Sequence, residues 1–393
     1  MIDFLTSQFG VSLVTAALVI GGLLTAVAYC IYFERKISAF IQDRRGPNRV
    51  GPWGLLQPLA DGGKFLFKED IIPGHVDKPL FVLAPAIIFV VAFIGFAAIP
   101  WGGNWSVNGK LVHIQVAQPD IGVLYIIGVA SMAIYGVVLG GWASRNKYSF
   151  IGAMRATAQM ISYEIPMGLC ILVVVVTLGT LRLEDIVLGQ IGATGMAKWN
   201  VLLHPVACLI LYITMLAEAN RAPFDMAEAE QELVGGYHTE YGALKFGMFF
   251  LAEYAHMITS SALMVVLFFG GWHLPWISWC QPEATGLIAV VAKVTVLCSK
   301  VAISIFVMMW IRWTLPRFRF DQIMRLCWKR LLPASLLLLM WSVGLLYFGK
   351  QQSVVWALVG NVALVVGALI FASMSKVEVT GRQENMPAVV AGG

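Results

Sequence analysis

Charged residues are scarce in this chain of 393 residues. Asp, Glu, Lys and Arg make up 12% of it, where an average soluble domain has about 25%. Hydrophobic residues make up 59%, and the mean hydropathy is +0.78. So few charged residues cannot cover a water-exposed surface, which excludes a soluble protein. We also expect no nucleic-acid partner. The composition predicts an integral membrane protein in contact with the lipid bilayer.

The chain also lacks the spacings that mark local cofactor sites. No pair among its six cysteines has C-x-x-C spacing, which argues against an iron–sulfur or zinc site. No glycine-rich phosphate loop follows a strand. We therefore expect no metal site and no cofactor bound by this chain, and we interpret the cysteines as small buried apolar side chains.

The apolar runs are about 20 residues long, enough for helices across a hydrocarbon core of roughly 30 Å. They lack the short alternation of a membrane β-barrel. The fold class predicted is all-α, a polytopic membrane helix bundle of about nine transmembrane helices. We expect one integral-membrane domain over 1–376 and a polar, disordered tail over 377–393. The predicted spans are 11–32, 79–100, 121–142, 155–179, 201–219, 243–271, 288–311, 331–349 and 353–375.

The distribution of Lys and Arg predicts how these spans are oriented. With the N-terminus outside, 21 basic residues fall in cytoplasmic segments and four in outer loops. The first span has no basic region before it and no cleavage site after it, so it is interpreted as a retained span. The C-terminus and the loop 220–242 are then cytoplasmic.

Two connecting segments have patterns of their own. Residues 53–68 place Gln57, Asp61, Lys64 and Lys68 in one polar stripe, which predicts an interfacial amphipathic helix; a short cap packed on the bundle is the alternative. Residues 101–120 carry an Asn-Gly turn between alternating runs, which predicts a small outer hairpin.

The loop 220–242 is strongly acidic. It holds Arg221 and His238 among five carboxylates, so its net charge is −4 with the histidine neutral. Like charges at close range disfavour one another, so such a cluster is costly to assemble unless it is used or compensated. The carboxylates are Asp225, Glu228, Glu230, Glu232 and Glu240.

Several ionisable residues fall inside predicted spans, where a charge is costly unless it is paired or hydrated. Pro166 follows Glu164 closely and should open the helix beside it, which would leave room for water. We interpret these residues as a proton relay that continues through Glu228, Glu230 and Glu232 to the cytoplasmic edge; buried ion pairs that fix helix register are the alternative. The intramembrane members of the relay are Tyr163, Glu164, Glu218, Glu253, His256 and Lys300.

Four segments resemble the membrane subunit of respiratory complex I that borders the quinone chamber. This protein is called the H subunit in bacteria and NADH dehydrogenase subunit 1 in mitochondria. The resemblance covers about 10–348 in order; the family core has eight spans, so 353–375 is a departure. The matching segments are Glu34–Lys64, Gly141–Glu164, Arg221–Leu233 and Arg312–Gln322.

The resemblance implies that the chain forms the wall and entrance of a quinone tunnel. Quinone would be a substrate, and FMN and iron–sulfur clusters would lie in partner subunits: hydrophilic quinone-site subunits beside small membrane subunits. The length favours a bacterial inner membrane over a mitochondrial one. By motif, the tunnel residues are Arg35, Arg44, Asp61, Phe224 and Asp225, and the coupling glutamates are Glu164, Glu218, Glu228, Glu230, Glu232 and Glu253.

The resemblance also suggests how coupling would work. Quinone reduction changes the charge near the acidic loop, coupled carboxylates shift protons as a group, and Gly235-Gly236 is a hinge candidate. Two other classes of membrane protein are alternatives. The anchor subunit of a membrane-bound hydrogenase shares the acidic loop but needs no quinone tunnel, and a secondary transporter should show two similar halves, which this sequence lacks.

Overall fold

The computed structural model describes residues 7–107, 109–192, 198–226, 235–350 and 353–374. There the chain forms a helix bundle with one small hairpin, strands β1 Asn104–Val107 and β2 Lys110–His113. The helices are α1 Gln8–Ile41, α2 Gln57–Phe67, α3 Lys78–Ile94, α4 Gly122–Ala143, α5 Lys147–Leu178, α6 Leu183–Gly189, α7 Asn200–Leu203, α8 Pro205–Glu218, α9 Ala243–Phe268, α10 Leu287–Thr314, α11 Phe320–Leu326, α12 Leu332–Tyr347 and α13 Val354–Met374.

The helices account for the predicted spans one by one. Within the described residues, seven are long and apolar enough to cross a membrane, counting the turn that extends α3 to Ala98 and the continuous run from α11 to α12. Two shorter apolar helices, α8 and α13, lie at the predicted fifth and ninth spans. The prediction of an all-α polytopic membrane bundle is confirmed. The tail 377–393 lies outside the described residues.

Helix α9 forms the centre of the bundle, and α1 lies at its edge. In their most apolar stretches, 83% of α9 is buried within the chain but only 22% of α1. Helix α9 packs against α1, α3, α8 and α10, so side chains on all its faces are enclosed. A polar group on α9 therefore needs a partner from a neighbouring helix, because little water reaches it.

The predicted fifth span is broken near its start. Pro205 cannot donate a backbone hydrogen bond, and the chain before it takes a non-helical conformation at His204 (φ −130°, ψ 61°). Helix α7 therefore ends at Leu203, and α8 begins at Pro205. The result is a short helix whose last residue, Glu218, enters the acidic loop.

Helix α5 continues through Pro166, contrary to the opening expected beside Glu164. Proline lacks the N–H that would bond the carbonyl of Ser162 four residues earlier. The Cys327 thiol donates to that carbonyl instead, at 3.0 Å, from a π-helical turn at Cys327–Leu331. A side chain from another helix thus satisfies the freed group. Of the six cysteines, four are buried, Cys30 is half-buried and Cys298 is exposed.

The amphipathic helix is shorter than predicted. Residues 52–54 form a 3₁₀ turn, and α2 begins only at Gln57. The turn requires glycine at Gly54, where φ is +81° and a Cβ would lie 2.3 Å from the Pro47 carbonyl oxygen. Helix α2 has no fully buried residue, and Leu59 and Phe67 on it are exposed. This is the burial expected of an interfacial helix.

The predicted hairpin is present and is fixed at both sides. Trp105 pairs with Val112 in its antiparallel ladder. The Gln8 side chain, at the start of α1, accepts from the His113 N–H at 3.1 Å and donates to its carbonyl at 3.2 Å. The His113 ring lies 3.2 Å from Glu184 on α6. The hairpin thereby connects α1 to α6.

Candidate functional site

A cavity of about 270 Å³ lies between α1, α2 and α9. Its polar end is formed by Arg35 and Asp61, whose Nη1 and Oδ2 atoms are 2.7 Å apart. Gln57 lies one turn before Asp61 on α2 and donates to its other oxygen at 2.9 Å. The remaining wall is apolar and includes Phe65 and Phe250. A second cavity of about 420 Å³ shares Arg35 and Asp61 and extends toward the end of the acidic loop.

Arg44, another charged residue predicted for the tunnel, lies elsewhere. Its Nε donates to the Gln42 side chain at 2.7 Å, and its backbone N–H bonds the carbonyl of Ala39 at 2.8 Å. It lines neither cavity beside Arg35. Its described contacts close the C-terminal end of α1.

A buried ion-pair network lies around Glu34, the residue that precedes Arg35 on α1. Arg221 is 3% exposed, and its guanidinium lies between two carboxylates, 3.9 Å from Glu34 and 3.7 Å from Glu253. It stacks over the Tyr254 ring at 4.0 Å. Arg312, at the end of α10, pairs with Glu34 as well. Two arginines and two carboxylates thus compensate one another's charge, as groups this deeply buried require.

Two tyrosine hydroxyls extend this network. Tyr254 donates to Glu34 at 2.6 Å, and Tyr237 donates to Glu253 at 3.3 Å. Tyr237 belongs to the turn that ends the acidic loop, whereas Glu253 belongs to the central helix α9. A displacement of this turn would therefore change the hydrogen bonding of Glu253 directly.

Glu218 and His256 form a separate pair deeper in the bundle. The Nε2 of His256 lies 3.6 Å from Oε1 of Glu218. Both side chains border a cavity of about 40 Å³ together with the hydroxyl-bearing Thr259 and Ser260. A cavity of this size has room for one water molecule beside the two groups, although most of its lining is apolar. Although His256 follows Glu253 by one turn of α9, the two residues take different partners.

Glu164 lies on α5 facing α4, where it accepts a hydrogen bond from Ser131. Its neighbour Tyr163 points to another side of the helix. The Tyr163 hydroxyl donates to the carbonyl of Ile323 at 3.0 Å, and its ring lies 5.5 Å from that of Phe224. The structure therefore separates these two predicted relay residues.

Phe224 and Asp225 are held by buried contacts away from the Arg35 cavity. The Gln159 amide donates to the Phe224 carbonyl at 2.6 Å and to the Ala217 carbonyl at 2.7 Å, which fixes the start of the acidic loop against α5. Asp225 is 1% exposed and lies 2.7 Å from Arg317. Neither residue lines the cavities beside Arg35.

Lys300, which was predicted to belong to the relay, does not lie beside the relay glutamates of the described residues. Its ammonium donates to three carbonyls at 2.7–2.9 Å, those of Phe269, Gly271 and His273, and lies over the Trp199 ring. Among the described residues it forms no ion pair with Asp or Glu. These contacts close the C-terminal end of α9, where free carbonyls favour a cation.

His238, in the same turn as Tyr237, is buried among aromatic rings. Its ring lies 5.1 Å from that of Phe249 and 5.5 Å from that of Phe246. Burial lowers the pKa of His238 to about 3, because the charged imidazolium is poorly solvated there. Burial likewise raises the pKa of Tyr241. His238 is therefore neutral at physiological pH.

Glu228, Glu230 and Glu232, predicted to extend the relay, lie outside the described residues.

Several residues of this site do not stand out in the sequence. The detectable signal is Glu34, a carboxylate in the last two turns of an apolar helix, where a charge usually has a partner. The others become visible only in three dimensions, because their partners come from distant segments: Tyr254, Tyr237, Gln159, Arg312 and Arg317.

The sequence model of the family described as NADH dehydrogenase matches residues 14–343. The chain belongs to this family. It is 47% identical over 328 residues to an H subunit of the NADH-quinone oxidoreductase of Cytophaga hutchinsonii, covering 83% of this chain and 93% of that one. It is 46% identical over 341 residues to the corresponding H subunit of Wolbachia pipientis, covering 86% and 97%. The Leptospira biflexa protein of the same name is 46% identical over 344 residues, covering 85% and 92%.

These relatives confirm the predicted family, and with it the prediction of a membrane-embedded subunit of an NADH dehydrogenase complex. The matched residues end before α13, in agreement with the interpretation of 353–375 as an addition to the family core. None of the relatives named above is a hydrogenase anchor or a transporter, so neither alternative gains support from them.

Proposed function

We propose that this chain is the membrane subunit of a bacterial NADH-quinone oxidoreductase and that it admits quinone to the complex and couples its reduction to proton translocation. One observation carries the proposal. Adjacent residues of α1 enter two different sites: Arg35 forms the polar end of the cavity, and Glu34 belongs to the buried network. A single backbone step thus connects a ligand-sized space to a set of coupled charges.

The chemistry of the cavity suits a quinone. A quinone has a polar head with two carbonyl oxygens and an apolar isoprenoid tail. Arg35 supplies a donor that stays protonated, and Phe65, Leu66, Leu244 and Phe250 supply an apolar wall. Ligand pockets of this kind combine apolar surface with a few oriented polar groups. Helix α2, at the membrane surface, forms the side through which a tail would enter.

The network offers a route by which a charge change in the cavity is felt deeper in the protein. Reduction of a quinone to a quinol takes up two electrons and two protons, and the reduced ring is anionic until the protons arrive from neighbouring groups. The charge near Arg35 therefore changes transiently during turnover, although quinone and quinol are both neutral. Arg221 lies between the carboxylates of Glu34 and Glu253 and interacts with both. When its interaction with one carboxylate becomes stronger, its interaction with the other becomes weaker. Such coupled groups titrate as a set.

From Glu253 the route continues in two directions. Tyr237 connects it to the acidic loop, where Glu228, Glu230 and Glu232 are proposed to respond. Gly236 has φ +59°, a left-handed conformation that suits a hinge. Glu218 with His256 and Glu164 with Ser131 are proposed as further stations toward the membrane interior.

The proposal includes the surroundings of the chain. The N-terminus lies outside, and the acidic loop and C-terminus lie in the cytoplasm, in agreement with the excess of Lys and Arg there. FMN and iron–sulfur clusters belong to partner subunits, which include hydrophilic subunits at the quinone site and small membrane subunits. This chain contributes quinone access and coupling, not a redox centre.

The experiment uses adjacent glycines of α2. Gly62 lines the cavity whereas Gly63 does not, and a Cβ at either position meets no atom within 4 Å. Gly62→Leu places a side chain in the cavity, and Gly63→Leu changes helix propensity equally without entering it. In the assembled complex, Gly62→Leu should raise KM for a long-tailed quinone, and Gly63→Leu should not. Equal effects of both variants would contradict the proposed access route.

A further inference from the structure

Helix α1 separates the cavity described above from a larger groove on its opposite side. We propose that this groove is a binding site for a phospholipid whose acyl chains lie between α1 and α10 and whose anionic headgroup lies at the cytoplasmic end. This inference concerns lipid, not quinone, and it holds whether or not the chain admits quinone.

The dimensions of the groove argue for acyl chains. On α1 its lining extends from Thr15 to Ile37, about 33 Å at 1.5 Å per residue, close to the ~30 Å thickness of a hydrocarbon core. Its volume is about 820 Å³. Spread over that length, this volume corresponds to a cross-section of about 25 Å² and a channel roughly 6 Å wide, narrower than an α-helix with its side chains, about 10–12 Å. The channel therefore fits flexible chains better than a transmembrane helix of a partner.

The lining has the chemistry of a lipid-facing surface. Thr15 and Tyr29 alone contribute hydroxyls, and the floor consists of close-packed aliphatic side chains such as Leu23, Val301 and Ile305. A methylene chain makes no hydrogen bonds and loses none here, whereas water in this groove would find almost no partners. Burial of apolar surface on both sides of the chain favours an ordered lipid over an empty groove.

A basic residue lies at the cytoplasmic end of the groove. At 100° per residue, Lys36 falls on the same side of α1 as the lining residues Leu18 and Tyr29. It is half-buried and lies beside the groove without lining it, with its ammonium 5.6 Å from the centre of the ring of Tyr32, a residue that lines the cavity on the opposite side of α1. No described residue forms an ion pair with it. A lipid phosphate at this level supplies the missing anion, which commits the site to an anionic phospholipid of the inner leaflet.

Such a lipid would cover part of the apolar surface of α1 that the rest of the chain leaves exposed. This helix buries the smallest share of its apolar stretch among the seven long helices described, and the groove accounts for part of the remainder. Chains between α1 and α10 hold the two helices apart at a fixed distance. Because Arg35 extends from the opposite side of α1, the lipid also fixes the position of that side.

Two neighbouring glycines of α1 provide a matched test. Neither Gly21 nor Gly22 has an atom within 4 Å of a built Cβ, but only Gly22 lines the groove. We would reconstitute the assembled complex with phosphatidylglycerol carrying a photoreactive acyl chain and map the labelled peptides. The unaltered complex and Gly21→Phe should be labelled on α1 and α10. Gly22→Phe should lose this labelling, and Lys36→Gln should lose the preference for phosphatidylglycerol over phosphatidylcholine.

Each other outcome would overturn the inference. Equal labelling of Gly21→Phe and Gly22→Phe places the lipid outside the groove. Absence of label from α1 and α10 in the unaltered complex indicates a partner helix or a quinone tail there, and quinone extracted from the same sample distinguishes the two. If Gly22→Phe does not assemble, Ala302→Phe fills the groove from α10 and takes its place.

Discussion

Glu34 and Arg35 are adjacent on α1, yet their side chains enter different environments. Arg35 is half exposed in a cavity and lies 2.7 Å from Asp61, whereas Glu34 is buried and accepts from Tyr254 at 2.6 Å. Successive residues of a helix are rotated by about 100°, which is what allows one turn to serve two sites. A ligand that pulls on Arg35 thereby acts on the helix that carries Glu34.

The Arg35–Asp61 pair should matter for function and hardly for stability. Its side chains are 50% and 30% exposed, and such pairs contribute about 1 kcal/mol or less to folding. Asp61→Asn should lower kcat/KM for quinone by about tenfold or more, since a hydrogen bond involving a charged group is worth about 1.5–3 kcal/mol. The measurement is quinone reductase activity beside the thermal inactivation temperature of the same complex.

Asp120→Asn is the control for this variant. Asp120 is an exposed carboxylate, 3.6 Å from Arg182 in a segment outside the described site. It should leave both readouts unchanged. A fall in inactivation temperature that accounts for the lost activity of Asp61→Asn would assign the pair a structural role instead.

Glu253→Gln should separate electron transfer from proton pumping. The change keeps the shape of the side chain but removes one of the two negative charges that pair with Arg221. Proton pumping in the assembled complex should fall by about tenfold, on the scale of one charged hydrogen bond, while NADH oxidation by an artificial acceptor stays normal. Glu232→Gln tests the acidic loop in the same way.

Glu253→Asp serves as the matched variant, because it retains the charge on a shorter side chain and should recover part of the pumping. Normal quinone reduction together with normal pumping in both Glu232→Gln and Glu253→Gln would refute the relay. Reduced assembly in Glu253→Gln but not in Glu253→Asp would indicate that the carboxylate mainly neutralises Arg221.

Much of the fold followed from the sequence because the membrane imposes a length on each helix. Apolar runs of about 20 residues located the spans. The break at Pro205 was not predicted, since 201–219 was expected to be one span, although this break and the cap at Gly179 have causes in local backbone chemistry. Pro166 shows where such rules end. The sequence indicates a freed carbonyl at Ser162, but only the packing of a distant turn brings Cys327 to it.

The site was less predictable. A carboxylate in a membrane span indicates that a partner must be present, but the sequence does not show which residue that partner is. Glu253 and His256 lie one turn apart on the same face of α9. In the structure Glu253 points to Arg221, which lies in the loop after α8, and His256 points to Glu218, which is the last residue of α8. Those choices depend on how helices cross, which local sequence does not encode.

Gly152 controls how closely the turn at Gly236 approaches α5. A Cβ at Gly152 would lie 2.8 Å from the Cα of Gly236, so one of the two backbones must move. Gly152→Ala should therefore displace the turn that carries Tyr237 and destabilise it by about 1–3 kcal/mol, the usual cost of overpacking. Limited proteolysis of the acidic loop in the assembled complex measures this, with proton pumping as the second readout.

Gly168→Ala, on the same helix, is the matched control. A Cβ there meets no atom within 4 Å, so this change should leave the loop intact and slightly favour the helix. Equal protease sensitivity of Gly152→Ala and the unaltered complex would mean that the turn adapts without cost, and the proposed transmission from the turn to Glu253 would lose its rigid support.

The neutral His238 makes the end of the acidic loop sensitive to acid. Its pKa is lowered to about 3 in the folded protein, whereas an unfolded histidine titrates near ~6.5. Between these two values opening of the turn takes up a proton, so the folded turn loses stability as pH falls, at up to about 1.4 kcal/mol per pH unit. Above pH 7 this contribution is constant.

His238→Phe should remove that pH dependence. A phenyl ring suits the aromatic surroundings formed by Phe246 and Phe249, and within the described residues the Nε2 of His238 has no hydrogen-bond partner to lose. Protease sensitivity of the loop should be similar in the two proteins at pH 7.5. At pH 5.5 the loop of the unaltered complex should be cleaved several-fold faster than that of His238→Phe, on the scale of about 1.4 kcal/mol per pH unit. Parallel pH profiles would show that His238 is not the group that titrates, and would transfer the acid sensitivity of this segment to its carboxylates.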